Sequence, residues 1–126
     1  MERKVIQTPE APTTGLPLSH AIKIGHLIFT SGMIARDPIT GDFIGGDIER
    51  QTERVLLNLK AVLEAAGSSL DKVVKVTVFL KDMRDFDGMN KVYRKFFPEA
   101  PPARSTVEVS KLGVDARVEM EMVAGV

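Results

Sequence analysis

The sequence predicts an α+β fold: a single mixed β-sheet with two helices packed on one face. Three observations lead there. Apolar residues alternate at period two in several short segments, and they recur at spacings of three and four in two longer ones. The segments then follow one another as strands, helix, strand, helix, strands. Strand–helix–strand crossovers keep one hand, which sets both helices on the same side of one sheet. A chain of 126 residues makes a single domain, 1–126, and a domain of that length buries roughly two-thirds of its unfolded surface.

Taken in order, residues 7–19 carry Pro9, Pro12, Thr13, Thr14, Gly15 and Pro17 and read as an ordered loop. Strands are expected at 20–24 and 26–31, separated by Gly25. Asp37-Pro38-Ile39-Thr40-Gly41-Asp42 is turn chemistry, with Pro38 presetting φ and Gly41 supplying a positive one. A helix is expected over 48–66, where Ile48, Thr52, Val55, Leu59, Val62, Leu63 and Ala66 share a face. Asp47 is placed to cap its start and Gly67 its end. The β-branched run 73–80 is a strand too apolar for an exposed edge. A second helix over 85–97 buries Phe86, Met89, Val92, Tyr93, Phe96 and Phe97, until Pro98, Pro101 and Pro102 stop it. Two strands close the chain, at 101–109 and 118–122.

Those last strands carry the chemistry. Alternation puts Arg104, Thr106 and Glu108 on one face of the first. In the second, Arg117, Glu119 and Glu121 face away from Val118, Met120 and Met122. The sheet face without helices is expected to hold Arg104, Thr106, Glu108 and Glu119 beside apolar partners from earlier strands. A half-apolar face left bare in this way is expected to be an oligomer interface. An arginine and a carboxylate on rigid strands suit a site that grips an anion and handles a proton. Ser31-Gly32 ends a strand, where glycine lets backbone approach a ligand.

Composition narrows the function. Seventeen Lys and Arg balance seventeen Asp and Glu, so no nucleic-acid partner is expected, and little repulsion keeps copies apart. The absence of cysteine excludes disulfides, thiolate metal sites and cysteine nucleophiles. His20 and His26 lack ligand spacing, so no metal is expected either. No stretch approaches the ~18 apolar residues of a membrane span, and the N-terminus lacks the apolar run of a signal peptide. The expected setting is cytoplasmic, without a membrane partner.

Several segments together resemble the Rid family of reactive-intermediate deaminases. They are Ile28-Phe29-Thr30-Ser31-Gly32, the turn 37–41, Gln51-Thr52 with 58–69, the run 73–83, and Pro102-Ala103-Arg104-Ser105-Thr106-Val107-Glu108-Val109. The likeness spans about residues 15–124, and Pro-Ala-Arg-Ser is its most specific part. It implies a chorismate-mutase-like fold in a homotrimeric barrel with sites in the clefts between subunits. It also implies hydrolysis of 2-imino acids or their enamine tautomers to 2-oxo acids and ammonia. No cofactor is implied, because a protonated imine carbon is already electrophilic.

Within that resemblance Arg104 pairs with the substrate carboxylate and Glu119 positions and activates water. Ser31, Gly32 and Thr106 hydrogen-bond the ligand, and Asn90 shapes the cleft. Two departures stand out. Leu18 replaces a tyrosine and Met33 a glutamine of many deaminating members, which makes the cleft more apolar. Pro17-Leu18-Ser19-His20 is similar to members that deaminate aminomuconate-type compounds. A trimer that binds small carboxylates without turnover is the alternative from another class.

Overall fold

In the computed structural model, which describes residues 1–126, the strands pair into one six-stranded sheet. They are β1 (Arg3–Ile6), β2 (Ala21–Ile24), β3 (Leu27–Thr30), β4 (Val73–Leu80), β5 (Ala103–Glu108) and β6 (Val118–Gly125). The helices are α1 (Ile48–Ala65) and α2 (Phe86–Phe96). Spatial order is β1-β2-β3-β6-β4-β5, with β4 and β5 parallel through α2 and every other pair antiparallel. The sheet is therefore mixed, and both helices cover one face.

Helix α1 begins and ends on local chemistry. Asp47 Oδ1 accepts the Arg50 N–H at 2.9 Å. At the other end Gly67 takes φ +82°, Ser68 N–H reaches Leu63 O and Gly67 N–H reaches Glu64 O, which satisfies the last carbonyls. Val55, Leu56, Leu59, Val62 and Leu63 are buried against Val76, Val78 and Leu80 of β4 and Val118, Met120 and Met122 of β6. Helix α2 crosses α1 closely at Gly88, where a Cβ would lie 2.6 Å from Ile48 Cγ2. Strand β1 was not among the expected strands. Only Ile6 of its four residues is buried, and pairing with β2 rather than local pattern makes it a strand.

The opposite face of the sheet carries no helix. Val5, Leu27, Phe29 and Val107 are each at least 42% exposed there, joined through the strand registers by Ile22, Val123 and Phe79. No helix of the chain is long and apolar enough to cross a membrane.

Candidate functional site

The chemistry-bearing side chains gather in two places. In the parallel β4–β5 register Arg104 stands beside Val76 and Thr106 beside Val78. Both therefore project to the helix-covered face. Because β5 is the sheet's edge, the Arg104 side chain reaches past the sheet to α2. Its Cζ lies 4.6 Å from the Tyr93 ring centroid and 5.7 Å from that of Phe86. Nη1 contacts Met89 Sδ at 3.9 Å. Half-buried, Arg104 takes part in none of the chain's ion pairs.

Asn90, Tyr93, Arg94, Phe97, Pro101, Pro102 and Arg104 line an open groove of about 310 Å³. The Tyr93 hydroxyl in this groove and the Thr106 hydroxyl two residues along β5 from Arg104 are buried without a hydrogen bond of ordinary geometry, although the Arg104 guanidinium stands near the Tyr93 hydroxyl. Burial pushes the Tyr93 phenol up, opposed by the nearby Arg104 charge, so it stays protonated at neutral pH.

The second place lies on the bare face. Strands β3 and β6 pair regularly as far as Phe29 opposite Val123, and pairing resumes at Met33 opposite Met120. Between these points the β3 side carries one residue more, a bulge. Thr30 Oγ1 accepts the Met122 N–H at 2.9 Å. Ser31 turns its N–H to His20 O at 3.0 Å and its hydroxyl to Ser19 O at 2.6 Å. Both Ser31 donors are thus spent within the chain.

Gly32 comes to rest against Glu119. A Cβ there would stand 3.0 Å from Glu119 Cδ and collide with the carboxylate. The Gly32 N–H itself has no partner in the chain. Glu119 is half-buried and unpaired. Burial raises its carboxyl above the ordinary range, and the neighbouring Glu121 charge raises it further. A carboxyl shifted upward takes up a proton more readily near neutral pH than an ordinary one.

Beside this bulge the loop before β2 roofs a cavity of about 190 Å³, with Leu16, Leu18, His20, Gly32, Met33 and Arg36 among its walls. His20 holds the loop. Its Nε2 donates to Pro12 O at 2.6 Å and its Nδ1 accepts the Thr8 N–H at 3.2 Å.

The expectation that Arg104, Thr106, Glu108 and Glu119 share the bare face is overturned. Glu119 pairs with Phe79 and projects to that face, whereas Arg104, Thr106 and Glu108 project with Val76, Val78 and Leu80 to the other. Parity along each strand read correctly; the register between strands set the faces. The structure brings Arg104, Thr106 and Asn90 together on one side and Leu18, Ser31, Gly32 and Glu119 on the other. Met33 turns into the core and is 7% exposed. Tyr93, Met89 and Phe86 read only as a buried stripe, and their contact with Arg104 carried no local signal.

Fold and site define a class: single-sheet α+β proteins with an unpaired arginine at the sheet edge and an isolated carboxylate on the bare face. Residues 8–126 match the family described as Endoribonuclease L-PSP. The chain is 53% identical over 124 residues to a RutC family protein of Pyrococcus abyssi, covering 98% of each. It is 41% identical over 124 residues to the chloroplastic Reactive Intermediate Deaminase A of Arabidopsis thaliana, covering 98% of this chain and 66% of that one. Among solved structures, RidA from the Antarctic bacterium Psychrobacter aligns with a TM-score of 0.93 at 38% identity, covering 98% of this chain and 99% of that one. Escherichia coli TdcF with bound serine aligns with a TM-score of 0.92 at 38% identity, covering 98% of each. The chain belongs to this L-PSP family, in which its relatives bear the names RutC and Rid.

Proposed function

We propose that the protein hydrolyses reactive 2-imino acids and their enamine tautomers, such as 2-iminobutanoate and 2-iminopropanoate, to 2-oxo acids and ammonia. The observation that carries this reading is Arg104: a half-buried cation at a groove, with its N–H fork unclaimed by any acid of its own chain. Such a fork suits a carboxylate bidentately. The name of the Arabidopsis relative supports the reaction class. The serine bound by TdcF, an α-amino acid, supports a carboxylate ligand.

In the proposed reaction Arg104 takes the substrate carboxylate, with Asn90 lining the same groove and Thr106, two residues along β5 on the same face, offering its hydroxyl. Glu119 accepts a proton from water as the water oxygen attacks the imine carbon. Glu119 returns that proton to nitrogen, the hydroxyl of the resulting carbinolamine gives up its own proton as the C–N bond breaks, ammonia leaves, and the C=O of the 2-oxo acid forms. General-base assistance of this kind contributes about 10²–10⁴-fold. The Gly32 backbone stands against Glu119, and its N–H has no partner in the chain.

Arg104 and Glu119 of one chain stand on opposite faces of a packed sheet, so on this reading the site joins the Arg104 side of one copy to the Glu119 side of the next. A contact between two different surfaces is heterologous, and it closes as a ring where the rotation between copies allows. A homotrimer with the bare apolar faces turned inward fulfils both requirements. The apolar cavity rim at Leu16 and Leu18, each at least 50% exposed, favours a second reading, a trimer that binds small carboxylates without turning them over.

The test is a coupled assay in which a threonine dehydratase generates 2-iminobutanoate. Wild type should speed the appearance of 2-oxobutanoate, and Arg104→Ala and Glu119→Gln should each abolish the effect. Refolding the two inactive variants together should restore about a quarter of the activity, since one site in four then combines an intact arginine with an intact glutamate. No recovery would sink the shared site. Arg104-dependent protection by 2-oxobutanoate against unfolding, without acceleration, would establish the binding reading instead.

A further inference from the structure

We propose that Phe86 and Tyr93 are positioning residues for Arg104: their ring faces replace an acidic counter-ion and hold the guanidinium with its N–H fork free. This rests on the reading of Arg104 as the carboxylate clamp. A half-buried cation is costly unless something compensates it. The common compensation, a neighbouring carboxylate, would occupy the same bidentate edge that the substrate needs. A ring face avoids that conflict, because it attracts the cation from above its plane and leaves the in-plane donors open.

The geometry fits this division. The Arg104 Cζ lies 4.6 Å from the Tyr93 centroid and 5.7 Å from that of Phe86, and both fall within the ~6 Å over which the attraction operates. The guanidinium otherwise meets Met89 Sδ at 3.9 Å, a weak acceptor, and the nearby Tyr93 hydroxyl, and no carboxylate. Phe86, Met89 and Tyr93 lie three and four residues apart on α2, so one helical stripe delivers all three to the edge of β5. Tyr93 is itself fixed. It is 5% exposed, and its ring packs on Phe97 with centroids 4.7 Å apart.

The Tyr93 hydroxyl is buried with no hydrogen bond of ordinary geometry, yet it lies near the Arg104 guanidinium. Phe86 carries no hydroxyl, so substitution there isolates the contribution of a ring face.

The experiment measures the affinity of the full-length protein for 2-oxobutanoate by calorimetry. Phe86→Leu and Tyr93→Leu should weaken binding about three- to thirtyfold, the range expected for loss of one ring face. Phenylalanines of rising fluorine content at position 86 should weaken binding stepwise, a dependence that a merely space-filling side chain does not produce. Phe86 is 36% exposed, so its substitutions give an answer even where Tyr93→Leu fails to fold. The proposal is overturned if Arg104→Ala abolishes binding while Phe86→Leu and the fluorinated rings leave it within about twofold. If Arg104→Ala itself binds normally, the clamp reading fails first.

Discussion

Gly32→Ala tests the placement of Glu119 without touching its carboxyl group. The backbone at residue 32 is not left-handed, so alanine meets no torsional penalty. Its Cβ, however, would overlap the Glu119 carboxylate and stand 3.0 Å from Cδ and 3.3 Å from Cγ. Ordinary contact distances are about 3.5–4.0 Å, so the carboxylate must retreat by about 1 Å. A misplacement of that size costs on the order of 10²-fold in rate. Stability should hardly change, because Glu119 is half exposed and free to rotate outward. The assay is the coupled dehydratase measurement, with thermal unfolding as control. The expected result is a hundredfold drop in kcat/KM, of order of magnitude only, at a Tm within about 2 °C of wild type. The double variant with Glu119→Gln should be no worse than Glu119→Gln alone, because both act through one group. Turnover retained within about threefold would refute the argument that the carboxylate acts from the position beside Gly32.

Three further outcomes follow from the fold. Glu119→Gln should raise Tm by about 1–3 °C near neutral pH. The folded-state carboxyl is raised above its unfolded value by burial and Glu121, so it binds its proton more tightly when folded. Its ionised form then costs stability above the raised value, and that cost fades as pH falls below the ordinary carboxylate range. The gain should vanish when melting is repeated near pH 4, about the model-peptide value. Gly88→Ala gains about 1 kcal/mol in helix propensity but forces a methyl to 2.6 Å from Ile48 Cγ2. Overpacking costs about 1–3 kcal/mol, so the expected net is a loss near 1 kcal/mol, read as a Tm about 4 °C lower. Phe29→Asp puts a charge on the bare face. On the proposed trimeric reading, light scattering should show the mass fall from three times the 13.8 kDa chain to a single one, with turnover lost.

The helices were legible because their signals are local. Asp47 and Gly67 do at the ends of α1 what their residue types foretell, and the apolar spacing of α2 buries Met89, Val92 and Tyr93 as read. The turn at Asp37 behaves likewise, its carboxylate accepting the Ile39 and Thr40 N–H groups. Strand β1 was invisible because four residues with one buried side chain carry no periodicity; β2 makes it a strand. Arg104 and Glu119 stood out by residue type, and their roles came from the resemblance. Their faces did not, since alternation gives parity within a strand and not the register between strands. That register is decided by which residue of β5 meets Val76 and which residue of β6 meets Phe79. Both pairings join segments far apart in the chain.

The two-sided arrangement follows from topology. A parallel β4–β5 pair requires a crossover, and α2 supplies it while covering one face. Arg104, on the edge strand and pointing to that same face, is thereby handed to α2, where Phe86 and Tyr93 meet it. Glu119 belongs to β6, an inner strand whose buried side supplies Val118, Met120 and Met122 to the core. Its alternate residues have nowhere to point but the bare face. The sheet that orders both groups also keeps them apart within one chain. On the proposed reading a second copy supplies the missing half, so the apolar bare face serves assembly and catalysis together. A charge at Phe29 should then abolish turnover without altering either half-site.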